Sequence, residues 1–119
     1  MKGITIRNFK FLPPEGFAAI TFFPFIFVNP NTSAWENPAN RKYLINHERI
    51  HLTQQLEMLV VLFYVWYVLE YLFRLVQYKG NKRLAYRNIS FEREAYSNDR
   101  NIEYRKTRKP FSWVKYLIK

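Results

Sequence analysis

The sequence predicts an α+β fold, mostly helical, in which short N-terminal strands are followed by helices. Two observations carry that expectation. Residues 1–40 hold β-branched and aromatic runs broken by Pro, Gly and Asn, whereas residues 41–79 contain neither Pro nor Gly. Strands first and helices afterwards, within 119 residues, fit a single domain. Its three stretches are 1–40 (strands and loop), 41–79 (a helical segment with an apolar half) and 80–119 (a second helix and a basic C-terminal segment).

Ile4 to Leu12 alternates loosely as a strand does, with Ile4 and Ile6 and then Phe9 and Phe11, and it stops at Pro13-Pro14. Ala18 to Val28 is rich in aromatic and β-branched residues between Gly16 and Asn29-Pro30, and reads as one or two strands. Pro24 cannot donate to a ladder, so part of this run is expected at a sheet edge. Asn29 to Asn40 (NPNTSAWENPAN) is turn and loop chemistry. From about Arg41 the chain is long enough for two helices or one kinked helix, and Gly80-Asn81 ends it. A second helical segment is expected over about Lys82 to Arg105, ending before Lys109-Pro110. Ser112 to Ile118 offers Trp113, Tyr116 and Leu117 for docking.

Composition narrows the chemistry. With 49% apolar residues and 19% aromatics the chain can bury a core. It has no cysteine, so any metal must be held by His, Asp or Glu. The net charge of +10 is concentrated toward the C-terminus. Residues 79–119 hold twelve Lys/Arg against four acids, and residues 1–78 seven against five. Such a basic third, interleaved with Tyr86, Tyr96, Tyr104 and Trp113, suits an anionic surface, but it carries no recognisable nucleic-acid reader motif. The apolar run Phe17 to Val28 follows Pro13, Pro14 and Glu15 and is interrupted by Pro24, with no small-residue cleavage site after it. It does not read as a signal peptide, so a cytoplasmic chain is expected.

Leu56 to Phe73 is apolar on nearly every side, broken only by Glu57 and Glu70. A helix of this kind is buried, paired with a second copy, or in contact with lipid. Its uninterrupted part, Met58 to Leu69, is shorter than the 17–25 or so residues needed to span a bilayer. Packing in a core or dimer interface is the plainer expectation for Trp66, Tyr67 and Tyr71. Peripheral membrane contact is the other, because Arg74, Lys79, Lys82 and Arg83 lie just beyond.

The chemistry gathers at His47-Glu48-Arg49-Ile50-His51, an H-E-x-x-H motif in the helical segment. Residues i and i+4 share one helix face about one turn apart, so two imidazoles can converge on one ion. These are the only two histidines in the chain. Glu48 sits beside the first of them, where it can take a proton from a water held by a zinc ion without being a ligand itself. A third ligand must be an oxygen donor. Glu92 and Glu94, in the second helix, point about 200° apart, so only one of them can face the ion.

H-E-x-x-H followed by Glu92-Arg93-Glu94-Ala95 (E-x-x-A) on a later helix resembles the gluzincins. It looks most like the group of CAAX-processing and heat-shock membrane metalloproteases, whose second motif is E-x-x-A-D. The resemblance spans roughly residues 18–105. It implies a zincin-like fold, one Zn²⁺ per chain, Glu92 as third ligand with His47 and His51, and an upstream edge strand (ITFFPFIFV) that receives a peptide. The family's Asp, which orients a ligand His, is replaced here by Tyr96, and the nearest acid is Asp99. The expected function is zinc-dependent hydrolysis of a peptide bond with Glu48 as general base. The alternative is a weak or inactive zincin scaffold that binds a peptide, a partner or a membrane surface.

Overall fold

The computed structural model describes residues 3–7, 9–10 and 12–118. The protein is α+β and mostly helical, with one small three-stranded sheet. Strand β1 (Ile4–Arg7) is shorter than the Ile4 to Leu12 alternation suggested, and Phe11 lies outside the described residues. The Ala18 to Val28 run forms two strands, β2 (Ala19–Phe22) and β3 (Phe25–Val28). Pro24 falls in the tight connection between them, where no ladder hydrogen bond is asked of it. The sheet order is β1-β3-β2, with β1 parallel and β2 antiparallel to β3. β3 is therefore central and almost wholly buried, and β2 is an edge strand.

The stretch expected to be all loop contains helix α1 (Ser33–Glu36) and the start of α2 (Pro38–Glu57). Asn37 caps α2 through its side chain, which accepts from Ala39 N and Asn40 N, and Pro38 follows at the first helical position. The long helical segment is two helices, α2 and α3 (Val61–Gln77), bent by 111°. Neither Gly nor Pro marks the bend. Leu59 and Val60 adopt positive φ there, a conformation a β-branched residue rarely takes. The single helix expected over Lys82 to Arg105 is three: α4 (Lys82–Arg87), α5 (Ser90–Asn98) and α6 (Tyr104–Thr107). A distant residue makes the break after α4. The buried Glu70 carboxylate of α3 accepts from Ser90 N at 2.6 Å and from Ser90 Oγ, capping α5 at a point where Ile89 offers no side-chain cap.

Two apolar clusters hold these pieces together. Phe63, Ile89, Phe91 and Trp113 join α3, α5 and a C-terminal 3₁₀ turn (Ser112–Tyr116), so the terminal segment docks as expected. Ile26, Val28 and Leu52 join β3 to α2. Gly3 makes that second contact feasible: a Cβ there would stand 2.5 Å from Leu52 Cδ1, at a φ of +73°. Besides Leu52 and Ile50, what α2 buries is polar: Asn46, His47, Glu48, His51, Gln54 and Gln55. No single helix among the described residues is long and apolar enough to cross a membrane.

Candidate metal centre

α2 carries His47 and His51 on one face, and α5 lies against that face with Glu92. The three side chains are buried, and one ligand atom from each lies within 4.8 Å of the others. His47 Nε2 stands 3.2 Å and His51 Nε2 3.1 Å from the same oxygen, Glu92 Oε1. Two nitrogens and one carboxylate oxygen around a single point are a donor set that a divalent transition ion accepts. His47, His51 and Glu92 could therefore hold a metal ion.

Each candidate ligand is oriented from behind. His47 Nδ1–H donates to Asp99 Oδ2 at 3.0 Å. His51 Nδ1–H donates to Gln54 Oε1 at 2.7 Å, because Gln54 Nε2 is turned away to donate to Phe91 O and Glu94 Oε1. Both Nε2 atoms thus face the centre. The second oxygen of Glu92 accepts from Tyr67 OH at 2.8 Å. Burial, with the Glu92 charge, holds the Tyr67 phenol well above its ordinary range, so it stays a donor.

Asp99 thus contacts His47 in the way expected of an orienting acid. Tyr96 meets the same imidazole edge-on, with centroids 4.4 Å apart, while its hydroxyl pairs with Tyr86 and its face carries the Arg87 guanidinium at 3.6 Å. Glu94, the other candidate ligand, is fully buried on a different side of α5. Its carboxylate accepts from Arg108, Tyr104 and Gln54. It reaches the centre only through Gln54. Glu48 is buried next to the ligands and accepts from Thr21 Oγ1 of β2 at 2.6 Å. Gln55 Nε2 and Tyr64 OH both donate to Thr21 O, which ties the edge strand to α2 and α3. Thr21, Gln54 and Tyr67 are contacts that sequence reading missed. Only Gln54 had a local signal, three residues after His51 on the same helical face.

Glu48, the two imidazoles and Glu92 line a cleft of about 1070 Å³ with Thr21, Tyr64 and Tyr86. A smaller depression of about 300 Å³, against Ile45, Arg49 and Ile102, contains none of the candidate ligands or Glu48.

The electrostatics are those of a buried ion cluster. Burial disfavours the charged His47 imidazole, but Asp99, Glu92 and Glu48 outweigh it and raise its pKa from 6.5 to about 10. His51 is raised as well: burial opposes its charge and Glu92 outweighs burial. Glu92 is driven far below the carboxylate range, since the two imidazoles overcome its own burial. Without metal, the stability contributed by His47 is fully present below about pH 6.5 and is lost as pH rises through about 10. A metal needs the neutral imidazole, so loading must expel protons and affinity must rise with pH across that window. Calorimetric titration with zinc at pH 7, in buffers of different ionisation enthalpy, is expected to show at least one proton released per ion. Zero release would mean that His47 is neutral in the free protein. Compared with protein-family models, curated proteins and solved structures, the chain matches none of them.

Proposed function

We propose that the protein is a small zinc-dependent metallopeptidase of the gluzincin type, hydrolysing peptide bonds. The observation that carries this reading is the convergence of His47 Nε2 and His51 Nε2 on Glu92, with Glu48 buried alongside in one cleft. A bound zinc ion would supply Lewis acidity toward a carbonyl and toward water. The protein's own groups supply the rest. Glu48 lies off the ligand set with a carboxylate free to take a proton, and Thr21 fixes its rotamer from the edge strand. Among the described residues β2 pairs with a strand on one side only, and Ala19, Ile20 and Thr21 line the cleft, so an extended peptide could lie along it, although Gln55 and Tyr64 already occupy the Thr21 carbonyl. Asp99 and Gln54 hold the two imidazoles in the tautomer that presents Nε2.

Metal content tests the centre. The protein purified without added metal is expected to hold one zinc ion per chain by elemental analysis. His47→Ala, His51→Ala and Glu92→Gln should each lose it, because a three-ligand site has no spare donor. Asp99→Asn should keep the ion with about 10–100-fold lower affinity. Equal zinc in wild type and all three ligand variants would end the metallopeptidase reading.

A further inference from the structure

α3 turns only a thin side to the core. Phe63, Glu70 and Arg74 are its buried residues. On the far side Leu62, Val65, Leu69, Leu72, Phe73 and Val76 are 51–81% exposed, at the i, i+3, i+4 spacing of a single stripe. That stripe carries no charge, since the only charged residues of α3 are Glu70 and Arg74, buried and paired with each other. The largest apolar patch on a monomer is typically about 300–600 Å², and one formed by six such side chains in a row calls for an occupant. The stripe continues onto the C-terminal segment, where Phe111, Val114 and Ile118 are 47–96% exposed. Trp66 meets Trp113 at a tilt, with ring centroids 5.4 Å apart, and Arg74 Nη2 donates to Leu117 O, so the C-terminal turn is fastened to α3.

Basic residues border this surface. Lys79, Lys82 and Arg83 are exposed just past the end of α3, and Lys109 and Lys115 are exposed beside Phe111 and Val114. A second copy of the chain would bring another +10 and the same basic rim against them. An anionic surface is complementary instead. At 17 residues α3 is about 25 Å long, and it has no polar residue on its outer stripe, so it suits lying in a bilayer interface rather than crossing it.

We infer that α3 and the C-terminal 3₁₀ turn form a membrane-docking face that inserts its apolar stripe among the headgroups of an anionic phospholipid bilayer. Arg83 and Lys82 sit where phosphates would lie. α3 also lends Tyr64, Tyr67 and Val68 to the cleft, so docking holds the metal centre about one helix diameter from the lipid. This inference stands apart from the peptidase reading, because it needs neither metal nor turnover.

Cosedimentation with vesicles tests it, using phosphatidylcholine with and without phosphatidylserine. The protein is expected to pellet with the phosphatidylserine vesicles and to be released progressively as salt is raised. Lys82→Gln and Arg83→Gln should each weaken binding about fivefold. Leu69→Glu combined with Val76→Glu should abolish it, and at 60% and 81% exposure these positions can change without disturbing the core. Circular dichroism and metal content of the variants verify that the fold persists. Binding that survives the double glutamate variant would overturn the docking face, leaving charge alone. So would a protein that ignores vesicles, whether it stays monomeric or forms a dimer that Leu69→Glu dissociates; the dimer would assign the stripe to a second copy.

Discussion

Replacing Glu48 with Gln is expected to leave the metal in place and to slow peptide hydrolysis by at least about 100-fold. Glu48 is not among the three grouped donors, so the ion loses no ligand. The fold should persist as well, because the Thr21 hydroxyl that donates to Glu48 can donate equally to a glutamine oxygen. What vanishes is the group that takes the proton under the proposed function, and general-base loss typically costs about 10²–10⁴ in rate. A proteome-derived peptide library digested by wild type and by Glu48→Gln, read by mass spectrometry, reports the difference without a chosen substrate. Full zinc occupancy with no cleavage that depends on Glu48 would replace the enzyme by a scaffold that binds peptides.

The second large effect lies away from the chemistry. Arg108 is expected to be worth about 3–5 kcal/mol, since breaking a buried ion pair strands a charge. Its guanidinium is 2% exposed and bridges two acids: Nη2 donates to Glu94 Oε1 at 3.0 Å and Nη1 to Glu57 Oε2 at 2.7 Å. Arg108→Ala leaves Glu94 charged in the interior with Tyr104 and Gln54 as its remaining donors. Thermal unfolding should shift down by roughly 10–20 °C for a chain of this size. Lys106→Ala is the control: its pair with Glu103 is 78% and 66% exposed and should matter by no more than about 0.5 kcal/mol. Arg108→Ala should also reduce metal affinity, because Arg108 holds Glu94, Glu94 holds Gln54 and Gln54 holds His51. Equal melting of Arg108→Ala and wild type would show that the network does not support the fold.

How much of this was readable in the residues follows from distance along the chain. His47, Glu48 and His51 are set by one helical period, and they fall where that period puts them. Glu92 was nameable through the E-x-x-A resemblance, and Asp99 only as the acid nearest to the position where the motif has Asp and this chain has Tyr96. Choosing Glu92 over Glu94 without the resemblance needed Arg108, fourteen residues further on, whose approach no local pattern announces. Thr21 and Tyr67 contact Glu48 and Glu92 across 27 and 25 residues, so only the folded chain brings them there. The same cause explains what was not legible. Two helices or a kinked one are expected before Gly80, but no Gly or Pro marks Leu59-Val60 as the place of the bend, and the unexpected break before Ser90 is imposed by Glu70 from twenty residues away.

The polar interior of α2 has a consequence for how such a protein would drift over evolutionary time. Asn46, Gln54 and Gln55 are each hydrogen-bonded to a different part of the chain: Asn46 to the carbonyls of Asn98, Asp99 and Asn101, Gln54 to α5, and Gln55 to β2 and Tyr64. Losing any one of them orphans a buried partner at about 1–3 kcal/mol. Purifying selection for folding alone would therefore retain them in a lineage that had stopped cleaving anything. Their persistence among descendants would say nothing about turnover. The informative pair is Glu48 with Thr21: their side chains lie outside the candidate ligand set and bond to each other, so under the proposed function they could decay together, and their joint loss would mark a branch without turnover.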